Sequence, residues 1–433
     1  MKLLLIKPSI GASTLGRYRL NDGPMEPLQF GVIAALTPPD FQVALLDDRV
    51  EPIPPDCAAE LVAITVDTYT ARRAYQIADS FRARGIPVVL GGLHVSLLPD
   101  EAQPHADAVV VGDAEGAWPK VIEEFRAGRL APRYGSTFGT PQAGVLPRRD
   151  LFRGKGYLPI SLVQFSRGCS LACNYCSVAS YFNRQHHCRD PGEVAEEIRK
   201  AGSKAVLFVD DNIVLDRYRA KELFRALKPL HIRWVSQASV DMVEDDELMG
   251  LMAQSGCMGQ LIGFESIDPD ALEWMNKKTN TRRFDRYEKA LASLRRFGLQ
   301  TWASFILGND HDTEETIRQT VSFATRSKFT LGFFHLLSPY PGTPLYELLR
   351  RENRLLFDGR WWDHPDFTYN TAAFVPRNLT PARLSELTVW ANREFYSASS
   401  ILHRVFDPKT NLRSLFRLLL YLRFNTVLRA TST

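Results

Sequence analysis

Phe165-Ser166-Arg167-Gly168-Cys169-Ser170-Leu171-Ala172-Cys173-Asn174-Tyr175-Cys176 carries three cysteines at C-x3-C-x2-C spacing, directly after the apolar run Leu158 to Phe165. Thiolates hold iron–sulfur clusters, and a cubane normally takes four of them. This loop offers three. A four-iron cluster bound here leaves one iron without a protein ligand and open to a small molecule. Two other readings stand beside it. A structural zinc site uses a closed set of four ligands, and His186, His187 and Cys188 follow soon enough in the chain to complete one. A disulfide is the other, although six cysteines spread through 433 residues do not make the framework of a small secreted domain.

The bulk properties are those of a soluble protein of two or three domains, 45% hydrophobic and 24% charged. A net charge of +4 gives no case for nucleic acid as a partner. Met1 to Pro8 reads as a first strand rather than a signal peptide, and no apolar run reaches the roughly 20 residues of a membrane span. The cytoplasm is therefore the expected compartment. Cys57, Cys188 and Cys257 are scattered and read as small buried hydrophobes.

Residues 1–130 alternate strand-like and helix-like runs. The strands are Leu3–Ile6, Val43–Leu46, Leu61–Thr65, Val88–Leu90 and Ala108–Val111; the helices are Leu28–Leu36, Thr70–Arg84 and Ala117–Arg126. This order predicts an α/β domain with a doubly wound, Rossmann-like parallel sheet. Such sheets bind ligands beyond the carboxyl ends of their strands. Those ends carry Asp47 and Arg49, then Thr65 and Thr68, then Gly91-Gly92-Leu93-His94, then Gly112 and Glu115. A flavodoxin-like nucleotide site would read similarly. Residues 131–157 are expected to be a linker.

From residue 158 to 350 the pattern repeats six times. Strands are expected at Leu158–Phe165, Ala205–Val209, Ile232–Gln237, Gln260–Phe264, Thr301–Leu307 and Leu331–Leu337. Helices are expected at Glu193–Ala201, Arg217–Leu227, Asp246–Gln254, Phe284–Phe297 and Glu314–Thr325. Six units fall short of the eight of a closed barrel, so a partial (β/α)6 barrel is expected, with its site at the carboxyl ends of the strands. After the cysteines those ends carry Asp210-Asp211-Asn212, then Gln237 and Ser239, Glu265, Ser304 through Gly308, and Tyr340 in a Pro-rich turn. Asp210 or Asp211 reads equally as a helix cap. Glu265 is a buried-looking carboxylate that needs a partner.

Together, the C-x3-C-x2-C loop after the first barrel strand and the α/β domain before it resemble the cobalamin-dependent radical S-adenosylmethionine (SAM) enzymes over nearly the whole chain. The resemblance extends to the class B methylases and to the hopanoid-methylase and bacteriochlorophyll-cyclase-like branch. It implies that Cys169, Cys173 and Cys176 hold a [4Fe-4S] cluster whose free iron chelates SAM, and that an electron from the cluster cleaves SAM to a 5′-deoxyadenosyl radical. It places Tyr175 against the adenine, Asp210, Asp211 and Asn212 at the SAM amino group, and Gln237 and Ser239 at the ribose. Glu265, Ser304 and Gly308 are assigned to the same SAM site. It implies cobalamin, as methylcobalamin, near Asp47, Arg49, Thr65, Thr68, Gly91, Gly92, His94, Gly112 and Glu115. Many cobalamin domains carry D-x-H-x-x-G, whose histidine ligates cobalt. Here Arg49 stands at the histidine position and Pro52 at the glycine position, and arginine offers no lone pair. The cofactor is therefore expected base-off with no histidine below cobalt, His94 packing beside the glycines rather than replacing it. Tyr340 is assigned to the substrate cavity, with a core role as its alternative.

The activity so implied is methylation of an unactivated carbon in a lipid-like, polycyclic or secondary-metabolite substrate. An external one-electron reductant such as flavodoxin or ferredoxin would serve it. Oxidative ring formation without methyl transfer is the alternative within the family. A cofactor-sensing binding protein is the alternative outside it, disfavoured by the intact cysteine triad. Residues 351–433 form a mainly helical C-terminal region, with helices at Pro381–Phe395 and Asn411–Phe424, expected to cap the substrate. The run Leu412 to Phe424 is basic and apolar. It suits peripheral contact with an anionic membrane, or a helix packed on the domain with its arginines snorkelling.

Overall fold

The computed structural model describes residues 1–10, 24–281 and 287–432. Two six-stranded parallel sheets organise the chain. The first contains β1 (Lys2–Lys7), β2 (Gln42–Asp47), β3 (Leu61–Thr65), β4 (Val88–Gly91), β5 (Ala108–Val111) and β6 (Arg133–Gly135) in the order β2-β1-β3-β4-β5-β6. β1 shows why the sheet is buried on both sides. Alternate side chains point to opposite faces, so Leu4 and Ile6 enter one core while Leu3 and Leu5 enter the other. The order reverses between β1 and β3, where a ligand crevice opens at the carboxyl ends of such sheets. β6 lies in the stretch expected as linker. Three residues are too few for a strand period to be read from sequence.

The second sheet is built from six later strands, ordered so that the last in the chain and the first lie at opposite edges. Its strands are β7 (Ser161–Val163), β10 (Ala205–Phe208), β11 (Arg233–Ala238), β12 (Cys257–Glu265), β13 (Gln300–Leu307) and β14 (Leu331–Leu336). Helices pack on one face, in a core that includes Trp234, Phe264, Phe305 and Phe334. The first strand is much shorter than the expected Leu158–Phe165. Its continuation turns away as β8 (Ser166–Gly168), which pairs antiparallel with β9 (His186–Cys188). That short ladder closes the base of the cysteine loop. The expected helix Phe284–Phe297 is described from Tyr287 to Arg296; its start at Phe284 lies outside the described residues.

The C-terminal region holds the helices Pro381–Phe395, Ala398–Val405 and Leu415–Ser432. The second is absent from the sequence reading. The third starts four residues later than expected and extends to Ser432. Before them, Trp361, Trp362 and Ala373 insert into the core of the first sheet. The adjacent Ala372 and Phe374 enter the core of the second. One extended segment thus ties both sheets together by strand alternation.

Candidate functional site

The cysteine loop is held by carboxylates that the sequence assigns to a ligand. Asp210 is fully buried and accepts hydrogen bonds from the Phe165 N–H (3.1 Å) and the Ser166 hydroxyl (2.6 Å), and a third from the Ser166 N–H. Asp211 accepts from the Gly168 N–H at 2.9 Å. Asn212 binds Ser239 twice, accepting from its N–H at 3.2 Å and donating to its hydroxyl at 3.0 Å. The two aspartates replace the neighbouring strand as partners for a backbone that has left the sheet. In this structure Asp210 is turned to the chain rather than to open space. Burial pushes its carboxyl up to about 7, while the three donors pull the other way.

The other side of the loop is pinned by the segment after β12. Asn174 donates to the Trp274 carbonyl at 2.7 Å, and Asn276 donates to the Ala172 carbonyl at 2.6 Å. Glu265 ends β12 at a register shift with φ +66°, a conformation that bulges impose to re-aim a side chain. Its Oε1 accepts from Lys277 Nζ at 3.0 Å, while its buried Oε2 has no hydrogen-bond partner within 3.5 Å among the described residues. Tyr175 is half-buried beside this pair. Burial raises its hydroxyl well above the ordinary range, and the charge of Glu265 adds to the shift. Cys173 is buried and Cys169 and Cys176 are half-exposed; all six cysteines are free. Burial pushes the Cys169 thiol up to about 11.

A zinc site would gather its ligands around one ion. Among the described residues no group of three or more His, Cys, Asp and Glu side chains is so gathered. Cys188 instead lies 3.9 Å from His186 Nδ1 on its own strand, and His187 binds Gln185. A cluster spreads its thiolates over separate irons, which suits an open loop better. The buried oxygens of Glu265, beside that loop, and of Asn174, within it, lack a hydrogen bond among the described residues and fit a ligand that brings its own donors.

On the concave face of the barrel, alternation exposes Gln237, Ser304, Leu261, Trp302, Ile306, Phe333 and His335, while their neighbours pack on the helices. Trp302 Nε1 has no partner there among the described residues. Gly308 does not share that surface. It has φ +108°, and a Cβ there would lie 2.6 Å from Leu384, so its missing side chain makes room for the C-terminal helix. Tyr340 stands in an aromatic group with Tyr69 (5.9 Å) and Trp361 (6.1 Å), where the three regions of the chain meet.

A cavity of about 390 Å³ opens between the carboxyl ends of β3, β4 and β5 and the start of the barrel. Thr65, Gly91, Gly92, Gly112 and Glu115 line it, joined by Ile33, Trp118, Gln164 and Arg167. Arg167, two residues before Cys169, spans the seam. Its guanidinium donates to both oxygens of Glu115 (2.9 and 3.0 Å) and lies 3.1 Å from Asp113. Tyr181, just after the cysteines, donates to the Gly112 carbonyl at 3.2 Å. Neither contact is visible in sequence, since a basic residue beside a cysteine motif reads as surface until its partner is placed.

Four residues assigned to the cobalamin site are not among those lining this cavity. Asp47 is buried and accepts two hydrogen bonds from the Arg49 guanidinium (2.8 and 2.6 Å) and one from Tyr157 (2.8 Å). The pair holds its own loop and the linker. His94 is fully buried, with Nδ1 3.3 Å from the Thr68 hydroxyl and Nε2 3.1 Å from Glu101. Both ring nitrogens and the Thr68 side chain are thereby engaged. The glycines differ from each other as well. Gly92 has φ +107° and a Cβ there would meet the Val66 backbone at 2.9 Å, so it serves the turn. A Cβ at Gly91 meets only Val110, at 3.7 Å, which leaves the cavity open beside it. Open cavity wall at Gly91 and the unpartnered, buried Arg167 Nε suit a bulky polar ligand such as cobalamin.

With this geometry in place, the comparisons agree with one another. A family model described as the radical SAM superfamily matches residues 163–324, and one described as a B12 binding domain matches residues 23–122. A bacteriochlorophyllide d C-12(1)-methyltransferase of Chlorobaculum tepidum is 31% identical over 424 residues, covering 95% of this chain and 90% of the relative. A C-8(2)-methyltransferase of the same organism is 30% identical over 360 residues, covering 78% and 79%. The radical SAM methyltransferase TsrM of Kitasatospora setae shares the fold, with a TM-score of 0.65 at 20% identity over 91% of this chain and 83% of that one. The chain belongs to the cobalamin-dependent radical SAM enzymes. Its cofactors are a [4Fe-4S] cluster, SAM and cobalamin, and by reaction class it stands with the methyltransferases.

Three outcomes follow from the site. Asp210→Ala strands the buried N–H groups of Phe165 and Ser166, at about 1–3 kcal/mol each. We expect it to lower the iron bound on anaerobic reconstitution; full iron with weakened SAM binding would instead make Asp210 a ligand contact. Gly91→Leu fills the cavity wall without backbone strain and should weaken cobalamin retention roughly tenfold, on the order of 1–3 kcal/mol for overpacking, with the cluster intact by absorbance. Among the described residues no histidine lines the cavity, so electron paramagnetic resonance of the cob(II)alamin form should lack nitrogen splitting from the protein.

Proposed function

We propose that this enzyme methylates an unactivated carbon of a polycyclic or lipid-like substrate, with Cys169, Cys173 and Cys176 as the cluster ligands. The observation that carries the reading is the seam between the two sheets. There Arg167 and Tyr181, on either side of the cysteines, are bonded to Glu115 and Gly112 at the rim of the cavity. When bound, the cluster with SAM supplies a hydrogen-abstracting radical, and cobalamin supplies a methyl group.

The chain's residues position these groups and exclude water. The Arg167 bonds keep the cysteine loop and the cavity at one separation, which is what a transfer between fixed centres requires. Glu265 and Lys277, beside Tyr175, present a paired charge toward the loop, suited to the ammonium of SAM. Leu261, Trp302, Ile306 and Phe333 give the concave face an apolar lining that suits a flat, largely apolar ring system. Substrates of that kind are named for the bacteriochlorophyllide d relatives. No side chain is needed as a base for hydrogen abstraction. An external one-electron donor such as flavodoxin or ferredoxin completes the scheme.

Methyl-labelled SAM tests the reading. Reconstituted enzyme with bacteriochlorophyllide and hopanoid probes should incorporate label, releasing one 5′-deoxyadenosine and one S-adenosylhomocysteine per methyl transferred. Product without label or S-adenosylhomocysteine would assign the chain to oxidative ring formation.

A further inference from the structure

The helix Leu415–Ser432 is fixed on one side and bare on the other. Tyr421 donates to the Ile401 carbonyl at 2.7 Å. Asn425 donates to the Thr330 carbonyl at 3.1 Å and accepts from the buried Arg404 at 2.8 Å. Arg417 donates to the Gly298 carbonyl at 2.6 Å. With 3.6 residues per turn, these anchors turn Leu415, Phe416, Leu419 and Arg423 outward. Leu415 is 71% exposed, Leu419 57%, Leu422 42% and Phe416 41%. Isolated exposed apolar residues are ordinary; several neighbours on one helix are not.

Charge says what covers this face. Residues 408–433 hold five of the chain's 53 Lys and Arg and none of its 49 Asp and Glu, so the preceding 407 residues balance to within one charge. Arg423 and Arg429 are exposed, and the Arg233 guanidinium sits 3.7 Å over the Phe416 ring. A second copy of the helix would set these cations against their own kind with no carboxylate on the helix to answer them. An anionic lipid headgroup answers them directly, and long cationic side chains reach headgroups from a helix lying at that depth. No helix among the described residues is long and apolar enough to cross a membrane, so the contact is with one surface.

We propose that the outer face of this helix docks the enzyme on an anionic lipid bilayer. Leu415, Phe416 and Leu419 would lie at the acyl boundary, with Arg423 and Arg429 among the phosphates. This goes beyond the methyl-transfer reading and does not rest on it.

Flotation of the full chain with vesicles of phosphatidylcholine, alone or with one third phosphatidylglycerol, tests the proposal. Wild type should float with the anionic vesicles and lose at least about tenfold of its binding between low and high salt. Leu415→Glu with Leu419→Glu should lose binding by a similar factor while keeping its helical circular dichroism and bound iron. Arg423→Gln with Arg429→Gln should abolish the preference for phosphatidylglycerol. Failure to float at low salt, or equal flotation with both vesicles, would overturn the proposal. So would a solution dimer that Leu415→Glu and Leu419→Glu dissociate in the absence of lipid, since the face would then belong to a second copy.

Discussion

The backbone from Phe165 to Gly168 leaves its sheet and must find partners for buried N–H groups, and the rest of the site depends on how it does so. Asp210 and Asp211, at the end of the next strand, supply the acceptors. An unpaired buried N–H costs about as much as a lost hydrogen bond, so the loop cannot relax to another path without penalty. The cysteines inherit this rigidity. So does Arg167, whose side chain can cross the seam to Glu115 only because Ser166 and Gly168 are fixed on either side of it.

Much of this was legible in the sequence, and what was not has a common cause. The strands of both sheets follow from short apolar runs between amphipathic helices, and the cysteine spacing points to its own chemistry. In sequence, Asp210-Asp211-Asn212 reads as a ligand patch or as a helix cap, because a carboxylate after a strand looks alike whether it faces a ligand or a backbone. Only burial separates the two, and burial is a tertiary property. Chemistry alone excludes Arg49 as a cobalt ligand; that it clamps Asp47 depends on Met25 and Tyr157, distant in sequence. Gly91 and Gly92 are adjacent and identical in type, yet one opens a cavity and the other relieves a clash.

The C-terminal segment gives the arrangement its last constraint. Trp362 donates to Glu101 at 2.9 Å, the same carboxylate that holds His94 and Tyr75. Trp361 donates to the Pro339 carbonyl, also at 2.9 Å, at the turn carrying Tyr340. The segment therefore grips the first sheet and the last barrel strand at once, while Arg167 grips them at the first barrel strand. Two sheets joined only by a linker would be free to hinge. Joined at both edges of the barrel mouth, they hold the cavity and the cysteine loop at one distance before any cofactor binds. The cost of ordering the centres is then met in folding rather than in each turnover, which is how a rigid scaffold favours a reaction between several bound groups.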